Sequence, residues 1–308
     1  MIALALALVL AAPAAPAAPA GKQMPKKGTM VIGKQPSSSG KGPSFELSVG
    51  DCAVAKGSPA GTTADCFVYV ALKGGKGKEK LQWTAKPGAI FLQGERSVAI
   101  GDEADSALAV SWAPVSVAKG IDGVIVTLQS GGERVKHRHE VFLNVKGKLN
   151  YALTASEPRG PLTWSALTPL DLDGNGSNEL LLMHAQRPDE EEADQWTLDV
   201  YGWRADIEKM VKMPSWTPTI HGALVGSYNN LKEAREDHAS KCLRDFMVLD
   251  NKSMPLLADG TFALVYPAAT AADAELAIAT ATACDEDITG TVKVLSRGMD
   301  VAADPKEP

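Results

Sequence analysis

Short alternating runs broken by turn residues constrain this chain more than anything else in it. Phe67-Val-Tyr-Val-Ala-Leu72, Leu81-Gln-Trp-Thr-Ala85, Ala107-Leu-Ala-Val-Ser-Trp112, Gly123-Val-Ile-Val-Thr-Leu128 and Glu140-Val-Phe-Leu-Asn-Val145 are rich in β-branched and aromatic residues and too short for helices. This spacing predicts an antiparallel all-β domain over residues 45–148, most simply a sandwich. Gly74-Gly75 reads as a hairpin tip, and Lys73, Lys76, Lys78 and Lys80 as charges that keep a sheet edge from pairing, with a binding patch as the functional alternative.

Residues 149–300 read as a second, β-rich α+β domain, with strands at Leu162–Leu167, Glu179–Met183, Trp196–Tyr201, Thr261–Tyr266 and Thr289–Leu295. Near Asn229 the period changes. Leu231, Ala234, Ala239, Cys242, Leu243 and Phe246 share one helical face, which predicts the longer helix of the chain near 229–246. The stretch 268–283 reads either way: Thr270 and Asp273 suit a helix start, whereas Ile278, Thr280 and Thr282 alternate like a strand. Residues 301–308 are expected to be a tail.

The 308 residues carry a net charge of −6, which suits two domains and gives no reason to expect nucleic-acid binding. Residues 1–20 resemble a signal peptide. Their apolar run is about ten residues, too short to span a bilayer, and Ala18 and Ala20 form a cleavage site, although no Lys or Arg precedes the run. No transmembrane segment is expected. Residues 21–44, rich in Lys, Gly, Pro and Ser, read as a disordered linker, with attachment to an anionic envelope polymer as the functional alternative. A secreted or periplasmic location suits four cysteines. Pairing 52–66 and 242–284 is favoured because each bridge then closes a loop within one domain.

One stretch carries definite chemistry. In Asp171-Leu-Asp173-Gly-Asn175-Gly-Ser177-Asn-Glu179, oxygen donors recur at every second position and glycines sit where a chain wrapping an ion must turn. Asp171, Asp173, Asn175 and Glu179 offer side-chain oxygens, Ser177 its carbonyl, and calcium is the expected cofactor. The alternative is a metal-free turn, since Asp-Gly and Asn-Gly are common hairpin dipeptides, but such a turn does not need the three carboxylates in alternate register. An EF-hand is excluded by Leu182 at the twelfth position and by strand-like flanks. The segment instead resembles the D-x-D-G-D-G-x-x-D-L loop of FG-GAP and VCBS repeats over about residues 163–203, in one copy. That resemblance implies a strand–loop–strand calcium site with Asp171, Asp173, Asn175, the carbonyl of Ser177 and Glu179 as ligands. Asn175 and Glu179 depart from its usual Asp residues, which implies weaker or more adaptable binding.

Other candidates read as structural. His137-x-His139-Glu140 begins a strand, but Lys136 and Arg138 flank it and Leu143 stands where an H-E-x-x-H motif needs its second His, so a solvated strand face is expected. Asp189, Glu190, Glu191, Glu192 and Asp194 read as a solvated hairpin tip. Trp83, Trp112, Trp164, Trp196, Trp203 and Trp216 read as core anchors. The expected protein is an exported, non-enzymatic binding or structural protein with a structural calcium site, partnered by an envelope protein or polysaccharide. A secreted hydrolase with dispersed carboxylates, which a cavity with two facing carboxylates would favour, and an inhibitor or partner of a secreted enzyme are the alternatives.

Overall fold

The structure is a computed structural model that describes residues 22–23, 25, 27–37, 42–54, 64–85, 89–94, 96–101, 108–130, 136–155, 162–187, 189, 191–213, 218–240, 242–243 and 245–296. The expected signal peptide and tail lie outside them. The first half forms strands β1 (Lys22–Gln23), β2 (Thr29–Gln35), β3 (Ser44–Val54), β4 (Ala64–Lys73), β5 (Lys78–Ala85), β6 (Ala89–Gly94), β7 (Ser97–Gly101), β8 (Leu108–Ala118), β9 (Ile121–Ser130), β10 (Lys136–Val145) and β11 (Lys148–Ala155). The second half forms β12 (Leu162–Leu170), β13 (Glu179–Gln186), β14 (Gln195–Arg204), β15 (Lys209–Lys212), β16 (Ile220–Tyr228), α1 (Leu231–His238), β17 (Met247–Asp250), β18 (Phe262–Ala268), α2 (Ala271–Cys284) and β19 (Thr291–Ser296).

The strands make four sheets with antiparallel pairing between neighbours: β2-β3-β4-β5, the seven-stranded β1-β6-β7-β8-β9-β10-β11, β12-β13-β14-β15, and β17-β18-β16-β19. Period-2 alternation then decides how they stack. In the first core, Phe45, Leu47 and Val68 of the β2–β5 sheet meet Val124, Val126 and Phe142 of the seven-stranded sheet. The intervening residues Ile125, Val141 and Leu143 point the other way and join Leu180 and Leu182 of β13 in a second core. Leu181 and Met183 alternate in turn into a third core with Met247, Leu249 and Val265. Val248 and Leu264 finish the series against Ala234, Ala274 and Ala281 of the two helices. Four sheets and a helical layer are therefore stacked face to face, and β13 of an inner sheet is buried on both faces.

This stacking corrects the reading of His137-x-His139-Glu140. Both faces of β10 are covered, so His139 and Glu140 are buried at 2% and 0% exposure. Arg138 and Tyr151 donate to the Glu140 carboxylate, and the ring nitrogens of His139 pair with Thr127 Oγ1 and Ser165 Oγ at 2.8 Å each. The side chain of His137 lies outside the described residues.

The expected linker is also corrected, because Thr29–Gln35 forms edge strand β2 on β3. Met30 and Ile32 pack on the first core, and Gly33 lies against the Trp112 indole, where a Cβ would come within 2.2 Å of the ring. At the opposite edge, Lys78 and Lys80 of β5 lie over the rings of Tyr69 and Phe67.

The helix expected near 229–246 stops at His238, after which Leu243 and Phe246 reach the core through turns. The longer helix is α2. Thr270 caps it by accepting from Asp273 N–H, and the hydroxyls of Thr280 and Thr282 turn back onto the carbonyls of Leu276 and Ile278, so these β-branched residues fit a helix. Disulfides join Cys52 to Cys66 and Cys242 to Cys284, the latter tying the turn after α1 to the end of α2. Among the described residues, no helix is long and apolar enough to cross a membrane.

Candidate metal centre

β12 and β13 pair in register up to Leu170 opposite Glu179, so the intervening residues leave the end of this sheet as one connecting loop. Gly174 and Gly176 hold φ of 73° and 83°, the left-handed region that favours glycine, and nothing crowds them. The loop folds on its own acidic side chains. Asn175 N–H donates to Asp171 Oδ1 and Asp173 Oδ1, Gly176 N–H to Asp171 Oδ2, and Ser177 N–H to Asn175 Oδ1. Asn178 N–H reaches the carbonyl of Ser116 on β8 at 2.8 Å, pinning the loop to the seven-stranded sheet. Leu172 packs inward against the third core.

Asp171, Asp173 and Glu179 each bring a carboxylate oxygen within 4.8 Å of the others. Asp171 and Asp173 are exposed, whereas Glu179 is buried at 7% exposure and accepts Leu172 N–H at 2.9 Å. Burial pushes the Glu179 carboxyl above its ordinary value; the Leu172 bond opposes this, and the charges of Asp173 and Asp171 add to it. A hard divalent cation relieves both causes at once by supplying the missing opposite charge to an all-oxygen donor set. The residues present therefore fit such an ion. Asn175 is less free, because its amide donates to Asp173 Oδ2 and its oxygen accepts from Ser177.

The other acidic stretch divides between solvent and the interior. Asp189, Glu191 and Glu192 are exposed as expected, but Asp194 is fully buried, a correction to the solvated-tip reading. It pairs with Arg187 and Arg235 and accepts Val248 N–H, while its own N–H donates to the Val248 carbonyl.

Two cavities, of about 390 and 350 Å³, open beside β12 and share Ala166, Asp245 and Tyr266. Sequence reasoning did not reach them, since their walls come from strands and turns far apart in the chain. Trp112 is buried and Trp196 and Trp203 pack against cores, as anchors should. The side chains of Trp83 and Trp164, and all of Trp216, lie outside the described residues. No family model matches the chain, and neither does any curated protein or solved structure.

Proposed function

We propose that this is an exported, non-enzymatic binding or structural protein whose β12–β13 loop holds a structural calcium ion. The observation that carries the reading is the convergence of Asp171, Asp173 and Glu179 within 4.8 Å around a loop whose glycines take positive φ. The strand–loop–strand setting and the acid spacing support the resemblance to an FG-GAP or VCBS repeat. Bound calcium would cross-link the loop to the buried end of β13, coupling the order of this hairpin to extracellular calcium. Two disulfides support an oxidising compartment. Calcium titration calorimetry tests the site: one saturable event is expected in the native chain and none in Asp173→Ala, and no heat of binding in the native chain at millimolar calcium would sink the claim.

A second reading, a secreted hydrolase working through paired carboxylates, has one observation in its favour. Asp245 and Asp273 both line the larger cavity. Against it, the Asp273 carboxylate accepts the Thr270 hydroxyl at 2.8 Å in the cap of α2, which ties it to the helix start.

A further inference from the structure

The interfaces between sheets open at one end, and the rows of inward side chains change character there. Along β9 the row runs Ile125, Thr127, Gln129; along β8, Val115, Ala113, Ser111; along β10, Val141 gives way to His139; along β12, Leu167 gives way to Ser165. The smaller cavity is this splayed end of the second core. β12 is the edge strand of its sheet, and its Ala166 also lines the larger cavity, whose wall includes Tyr266, Phe246 and α2. The two cavities adjoin along a shared cleft wall, with Asp245 and Tyr266 lining both.

Among the described lining residues the only carboxylates are Asp245 and Asp273, and none is Lys or Arg. Asp245 is exposed to the cleft and has no hydrogen-bond or ion-pair partner among the described residues, unlike Asp273. Burial first, and then these two carboxylates, push the Tyr266 phenol above its ordinary value, so both carboxylates act on the ring that lines the two cavities. The wall of the larger cavity is otherwise largely apolar, and Leu276 stays 65% exposed beside it. A carboxylate without a partner among the described residues, beside an aromatic ring and a largely apolar wall, is matched by a cation carrying an apolar body.

We propose that this cleft binds a small organic cation, an alkylammonium-type ligand whose charge rests on Asp245 beside the Tyr266 ring and whose apolar body lies along Ala166 and Leu276. The inference extends the binding half of the reading above and is independent of the calcium loop. Hexylamine, hexanoate and hexanol, titrated by protein NMR into the native full chain in calcium and again in chelator, give the test. Hexylamine is expected to bind in both conditions, about fivefold or more tightly than either uncharged hexanol or hexanoate. Asp245→Asn, a nearly isosteric change at an exposed position, should remove that preference, whereas Glu236→Gln on α1 should leave it intact. Equal binding of the three probes, no binding at millimolar concentration, or an unchanged preference in Asp245→Asn overturns the proposal. Loss of calcium heat with the hexylamine preference retained would instead overturn only the calcium reading.

Discussion

Asp194 ties distant parts of the chain together. Its carboxylate is fully buried between Arg187 and Arg235, whose side chains are 29% and 16% exposed, and it also holds β17 through Val248. Asp194→Ala leaves two guanidinium groups and a backbone N–H without their acceptor. We expect a loss of about 3–5 kcal/mol in denaturant unfolding; a loss under about 1 kcal/mol would show the pair to be peripheral. Nothing in the run 189–194 distinguishes this aspartate from its solvated neighbours, because beside the nearby Arg187 its partners Arg235 and Val248 arrive from α1 and β17. Two histidines set a pH response. Burial, outweighing the attraction of Asp199 and helped by Lys212, lowers His184; burial likewise lowers His238 against the pull of Asp194 and the Phe246 carbonyl. Both are held neutral in the fold, so their contribution is complete above the ordinary value of 6.5 and is lost as pH falls through their depressed folded values. The melting temperature should fall between pH 7 and 5, and less steeply in His184→Phe; parallel slopes would refute this.

At the scale of elements, β13 states the logic of the molecule. Leu181 and Leu182 point to opposite faces and are both buried, at 0% and 4% exposure, in different cores. Leu181→Ala and Leu182→Ala are each expected to cost about 2–5 kcal/mol. A strand with one wet face would show one costly and one nearly neutral change. The continuous apolar run Leu180–Met183 made this strand legible in the sequence, as the Asp171–Glu179 spacing made the loop between its strands legible. The helices were less so. Of the face built from Leu231 to Phe246, Ala234, Leu243 and Phe246 are buried, but turns rather than helix bury the last two. In α2 the threonines imitate strand alternation while their hydroxyls bond within the helix. Strand β2 was hidden because only Met30, Val31 and Ile32 interrupt a Lys- and Gly-rich composition, and its partner β3 supplies the rest.

For the whole molecule, the β-rich character and the order of the halves could be read from the chain, but the stacking could not. Period-2 alternation says that a face is buried and is silent about which sheet covers it. The second core joins residues of β8–β11 to residues of β12, β13 and β15, so the halves divided at 148 share a packed interface. Calorimetric unfolding should therefore show one main transition, and two well-separated ones would contradict a shared core. The β12–β13 loop sits on this interface, with Asn178 bonded to Ser116 across it and Leu172 in the third core, so the proposed ion binding should register in global stability. The most direct test is the melting temperature of the native chain in millimolar calcium against excess chelator, with Asp173→Ala alongside. At about a hundred times the dissociation constant, calcium adds about 2.7 kcal/mol. The account predicts a clear rise with calcium in the native chain and none in Asp173→Ala; an identical melting temperature in calcium and chelator for the native chain would contradict it.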